Sequence, residues 1–274
     1  MADLFALEFV RNALLVSIVM GLLLSYLGVH VVGRGIVFVD LALGQISMLG
    51  VAVAAYFEQD PLVISIAFTL VGAFLMSFIK VHDKRLKVES IIGIVYAVSS
   101  AVTVLLISKA AHGDADIQEV LFGSIFTVTD NQIIAMAVVF GLLGVIHFIF
   151  RKQFFLITKK YETMDVEELS SFNLWNFLFY ISIGLAIVLA VRAGGVIPVF
   201  AYLVVCPVSA LLLTKGNTGV VLLSLLVGVI GSFLGIYFSV QFDFPAGASI
   251  VAMLGVLFAV ASVIRLAKKS DSAA

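Results

Sequence analysis

An all-α, polytopic transmembrane bundle of eight or nine spans is the fold class that this sequence predicts, and three observations predict it. Hydrophobic residues make up 62% of the 274 and charged residues only 12%, against about half and a quarter in soluble domains. Apolar stretches of about 20 residues, the length that crosses hydrocarbon as a helix, recur from one end of the chain to the other. The sixteen basic and seventeen acidic residues fall in clusters between those stretches, too few and too grouped to coat a water-facing surface. Lipid must cover the remainder.

The first stretch, 9–32, follows residues 1–7, which carry no basic region and no small-residue cleavage site, so it reads as a retained span rather than a signal peptide. The second, 36–56, contains Asp40, Gly44, Gln45 and Gly50 and is expected to be broken or only partly membrane-crossing. Further candidates are 62–79, 90–109, 132–150, 174–192, 196–213, 219–240 and 246–266. The whole of 1–274 reads as a single transmembrane domain, with no soluble domain, low-complexity tract or internal repeat.

Basic residues of short loops stay cytoplasmic. Three clusters mark that face: Lys80, Lys84, Arg85 and Lys87; Arg151, Lys152, Lys159 and Lys160; and Arg265, Lys268 and Lys269. The alternate loops are acidic, with Glu58 and Asp60, then Asp114, Asp116 and Glu119, then Asp243, and face outward; Lys109 and Arg192 are exceptions. The longest polar stretch, 155–173, then lies on the cytoplasmic side. Met164, Val166 and Leu169 among its acids suit a short surface helix, either a solvated connector or a docking element.

Several functions are excluded. A net charge of -1 provides no basic excess for nucleic acid. No Gly-Lys-Ser/Thr triplet occurs, so any ATP hydrolysis belongs to another polypeptide. Ser/His/Asp sets, HExxH helices and CxxC pairs are absent, which leaves a membrane-embedded enzyme a distant reading. The lone Cys206 allows no internal disulfide and reads as a small buried hydrophobe.

An ionisable group inside a span is costly unless it faces a cavity or a partner, which makes Asp40 the first candidate for the substrate pathway, followed by Gln45 and Ser47 on the same span. At 100° per residue Gly44 shares the face of Asp40, and Gln45 lies a further 100° round. An ion pair with Arg34 is the alternative for Asp40. His30 and His147 fall near span ends, where imidazoles reach the interface, and are expected to be structural. Pro207 removes a donor in mid-span and should kink its helix or free carbonyls. Gly194, Gly195, Gly231, Gly235 and Gly247 suit close helix approach, the 231 and 235 pair as a small-xxx-small face.

Five segments, in order along nearly the whole chain, resemble the permease subunits of the bacterial ABC importers for zinc, manganese and iron. Phe9-Val10-Arg11-Asn12-Ala13-Leu14-Leu15 is similar to that family's F-x-R-x-A-L-L, and Glu89-Ser90-Ile91-Ile92-Gly93-Ile94-Val95-Tyr96 to its E-D-x-x-I-G-I-x-F. Leu121-Phe122-Gly123-Ser124-Ile125 resembles L-F-G-N-I/L. Gly194-Gly195-Val196 through Pro207-Val208-Ser209-Ala210 and on to Leu213 resembles V-G-x-L-L-V…P-A-A…L-L, and Asp243-Phe244-Pro245-Ala246-Gly247-Ala248 resembles D-x-P-x-G-A. The second span departs from the family's D-A-L-S-H-x-x-L-P-G: Leu41 stands for its Asp, Gln45 for its His and Leu49 for its Pro, with Asp40 one residue early. An amide is a poorer zinc ligand than an imidazole, so a hard cation or another solute stays open.

The resemblance implies a homodimeric permease of the bacterial cytoplasmic membrane, embedded in lipid and binding no cofactor itself. Its partners would be cytoplasmic ATP-binding subunits and an extracytoplasmic solute-binding protein. It implies metal handling near Asp40, and it places ATPase coupling on the element around Tyr161, Glu162, Asp165, Glu168 and Leu169. The alternative is a secondary transporter with Asp40 as proton or cation carrier.

Overall fold

The computed structural model describes residues 7–79, 88–108, 125–163 and 173–271. Lys80, Lys84, Arg85, Lys87, Asp114, Asp116, Glu119, residues 121–124, and Asp165, Glu167, Glu168 and Leu169 lie outside the described residues. The helices are α1 (Glu8–Gly33), α2 (Val39–Tyr56), α3 (Pro61–Ser77), α4 (Val88–Ile107), α5 (Asp130–Ile149), α6 (Arg151–Glu162), α7 (Leu174–Gly194), α8 (Val196–Leu213), α9 (Asn217–Phe242) and α10 (Ala246–Asp271). A 3-10 turn at Ile125–Thr127 precedes α5, and no strand occurs among the described residues. Eight of the helices are long and apolar enough to cross a membrane. The apolar α3, at 17 residues, is a ninth at the short end of what can cross.

The helix α6 fixes the orientation. It carries Arg151, Lys152, Lys159 and Lys160 and buries Phe154, Ile157 and Thr158, so it lies along the inner face with its apolar side down. The end of α1 meets it there, through Arg34 Nε donating to Thr158 Oγ1 at 3.2 Å. The start of α1 therefore lies outside, and the nine apolar helices among the described residues bring the basic end of α10, with Arg265 and Lys268, back to the inner face.

The second span is unbroken but starts at Val39, not at residue 36. The reason is the turn before it. Gly35 sits at φ +64°, its N–H donates to the Val32 carbonyl, and the Ile36 N–H reaches back to Val31. That is the six-to-one and five-to-two pattern that closes a helix on a left-handed glycine, and Ile36 and Val31 are both buried beneath it. One further glycine is demanded by the backbone: Gly195, at φ +83°, is the single residue between α7 and α8.

Helix packing uses small residues, as expected where lipid supplies no hydrophobic drive between helices. α1 packs on α8 and α9, α2 on α3 and α4, and α10 on α8 and α9. Pro207 lies inside α8, whose helix runs on through it. The donor it lacks leaves the Leu203 carbonyl free, and that carbonyl lies against Gly28 of α1, where a Cβ has no room. Between α1 and α9, Ser224 Oγ donates to the Ser25 carbonyl and Ser232 Oγ to the Ser17 carbonyl, both at 3.0 Å. Each such bond is worth about 0.6 kcal/mol in a membrane. Gly231 and Gly235 meet Leu254 and the Ile250 backbone of α10, the small-residue contact that their spacing predicts.

Candidate functional site

Asp40 lies in the first turn of α2, 1% exposed. Its carboxylate faces the N–H groups of Asp40 and Leu41 at the helix start, yet neither oxygen has a hydrogen-bond partner among the described residues. A helix N-terminus favours a negative charge by up to about 2 kcal/mol when partly buried, far less than the several kcal/mol that burying a bare carboxylate costs.

Gly44 and Ser47 follow Asp40 at four and seven residues, on its own face of α2. Gly44 has no side chain there, and a Cβ would sit 3.7 Å from Val196 at the start of α8. Gln45 is 7% exposed but lies about 140° round the helix from Asp40. The structure thus aligns Asp40 with Ser47 and turns Gln45 away. Among the described residues no group of three His, Cys, Asp or Glu is gathered to hold a metal ion.

Arg34 does not pair with Asp40. Its guanidinium is 5% exposed and takes neutral partners: Nε donates to Thr158 Oγ1 and Nη1 to Asn176 Oδ1 at 2.9 Å. It lies 3.7 Å over the Phe179 ring and 5.6 Å from that of Tyr161. Asn176 Nδ2 in turn donates to the Ser77 carbonyl at 2.9 Å. One cation therefore ties α1 to α6, α7 and α3 at the inner face. Burial brings the Arg34 pKa down to about 10, which leaves it charged at neutral pH, and burial raises that of Tyr161.

The two histidines that sequence placed at the interface are buried completely. Thr158 Oγ1 has one proton and donates it to the Phe154 carbonyl at 2.9 Å. His30 therefore donates from Nδ1 to Thr158 at 2.8 Å and accepts from the Tyr26 hydroxyl at Nε2, 3.2 Å away. His147 stacks on Phe154 at 3.9 Å and 7°, with both ring nitrogens unpartnered. The Arg34 hub was missed in the sequence because its members are 124 and 142 residues apart. The one available signal was a polar residue at the inner end of each of several spans.

Of the coupling candidates, Tyr161 is brought onto Arg34 and Glu162 is exposed beside it. The α6 end of the cytoplasmic stretch is thus joined, through Arg34, to the turn that starts α2. Val37 N–H, in that turn, donates to Glu89 Oε1 of α4 at 3.2 Å.

Comparison with known proteins agrees with this architecture. A manganese import system permease protein, ScaB, of Streptococcus gordonii is 27% identical over 259 residues, covering 94% of this chain and 91% of the relative. A Haemophilus influenzae protein described as a probable iron transport system membrane protein is 26% identical over 257 residues, 94% of this chain and 90% of its own. Among solved structures, PsaBC from Streptococcus pneumoniae in complex with Fab superposes with a TM-score of 0.79 at 25% identity, covering 95% of this chain and 93% of that one. The model of the ABC 3 transport family matches residues 6–265, and with nine apolar helices laid out as above, this chain belongs to that family.

Proposed function

We propose that this chain is the membrane-spanning permease of an ATP-driven importer of a divalent first-row metal, in the bacterial cytoplasmic membrane. The observation that carries the reading is the Asp40 carboxylate, buried with both oxygens unpartnered in the first turn of α2. A carboxylate beside a hydroxyl oxygen is a hard donor set, which suits manganese or ferrous iron better than zinc. The relatives described for manganese and iron transport support the same choice.

One carboxylate per chain is too little to hold a metal, so a pathway between two copies, each contributing Asp40, is the arrangement that completes it. Ser47, on the face of Asp40, would line the approach. ATP hydrolysis would reside on cytoplasmic subunits that this chain meets around Tyr161 and Glu162, and an extracytoplasmic binding protein would deliver the metal at the outer ends. The path from Tyr161 through Arg34 to the start of α2 supports a mechanical coupling of the two. ATP-driven movement of α6 would shift the turn at Gly35 and with it Asp40.

Metal content of cells lacking the gene tests this directly. Manganese or iron should fall and return on complementation, and the purified chain should bring down an ATPase. Unchanged manganese, iron and zinc would defeat the metal assignment. Uptake indifferent to ATP and abolished by an uncoupler would defeat the ATP-driven one.

A further inference from the structure

A groove of about 820 Å³ runs along the membrane-facing side of the protein between α1, α5, α6 and α9. Its walls within the membrane are apolar, with Leu22, Phe140, Leu222 and Leu225 among them. Gly141 and Gly144 of α5 present bare backbone to it, and a Cβ at either would meet nothing within 4 Å. Such a space is within the range of about 300–1,000 Å³ that holds small ligands.

The inner rim has different chemistry. Arg151, Lys152, Asn217 and Thr218 stand there, and among the described residues no Asp or Glu lines the groove. Arg151 lies over the Phe148 ring with its guanidinium carbon 4.9 Å from the centroid, which holds the charge at the edge of the apolar wall. Asn217 and Thr218 open α9, whose N-cap is Gly216 and which has no side-chain cap. The first turn of this 26-residue helix therefore opens at the rim without a side-chain cap.

We propose that this groove seats an anionic phospholipid of the inner leaflet. Arg151, Lys152 and the open start of α9 take its phosphate, and its acyl chains lie along Leu22, Phe140 and Leu222. Depth agrees with this occupant: the basic end is at the inner face and the apolar wall lies within the bilayer. A second copy of the chain fits poorly, because a two-fold contact about the membrane normal would set the two basic rims side by side at one level. The groove also reaches Tyr26, whose hydroxyl donates to His30, so the seated lipid touches the Arg34 hub from its membrane side.

The test uses the full chain in vesicles of phosphatidylcholine doped with brominated phosphatidylglycerol. Trp175 is the sole tryptophan, so Trp175→Phe with Leu222→Trp gives a reporter in the groove, and Val98→Trp, on the exposed face of α4, one outside it. Each surface cation favours an anionic lipid about fivefold. Phosphatidylglycerol should thus exceed its bulk share at the groove by on the order of tenfold or more, and match it at residue 98. Arg151→Gln with Lys152→Gln should abolish the preference, and Gly144→Leu, which fills open space, should halve the quenching or more. Equal quenching by brominated phosphatidylcholine and phosphatidylglycerol in the parent overturns the proposal. So does a Gly144→Leu chain that keeps its quenching, or one that loses self-association instead. If the double variant does not fold, the parent's lipid preference and Gly144→Leu decide alone.

Discussion

Arg34 and Asp40 are six positions apart in the sequence, both buried and both of a kind that a membrane interior rejects, and the protein treats them oppositely. Arg34 is met by a hydroxyl, an amide and two aromatic faces drawn from α6 and α7. Asp40 is met by nothing that satisfies either oxygen. A buried charge with partners acts as a fastener; on the function proposed above, one without them is kept for a ligand. The contrast teaches that burial alone does not separate the two: Arg34 keeps two hydrogen bonds and two aromatic faces although its Nη2 has no hydrogen-bond partner among the described residues, whereas neither Asp40 oxygen has one.

That contrast makes demands that measurement can break. The largest effect is expected at the fastener. Arg34→Leu leaves Asn176 and Thr158 short of a donor and unties four helices, so it should cost about 3 kcal/mol, seen as a thermal transition several degrees lower in detergent. Asp40→Asn should behave in reverse. Metal uptake should fall on the order of 100-fold, at the upper end of what a lost metal-site interaction costs, while thermal stability stays at or above that of the parent. A clear loss of stability would show that the carboxylate is a fastener too.

Smaller effects sharpen the boundary between the two. Asn176→Leu removes both the Arg34 acceptor and the donor to Ser77 and should cost about 2 kcal/mol, less than Arg34→Leu because Phe179 and Tyr161 still face the cation. His147→Phe replaces a ring with two unpartnered buried nitrogens by one that stacks on Phe154 equally well. It should gain about 1 kcal/mol without changing uptake. A loss of uptake there would put His147 with Asp40 among the groups kept free for a solute.

Much of the architecture was legible in the chain. The nine apolar intervals all appear as helices, with 196–213 matched at both ends and 9–32 shifted by one residue at each. The start of α2 was misplaced because Val31 to Ile36 is apolar around Gly33, Arg34 and Gly35, and hydropathy does not register a left-handed turn. The Gly231 and Gly235 contact and the freed carbonyl at Pro207 followed from local rules, since each concerns one helix and its own backbone. His30 and His147, expected to be structural, are packed in the interior rather than reaching the interface, because α6 lies across the span ends.

By itself the sequence determined that hydrocarbon solvates this chain, where its helices lie and which face is cytoplasmic, because each of these follows from hydropathy and charge summed over neighbours in the chain. Only the tertiary structure decided that Arg34 joins Thr158 and Asn176 rather than Asp40, and that a basic-rimmed groove opens beside α5. Those outcomes depend on which helices cross and at what rotation. Rotation is settled by close packing at Gly28, Gly228 and Gly235, between residues that the chain keeps far apart.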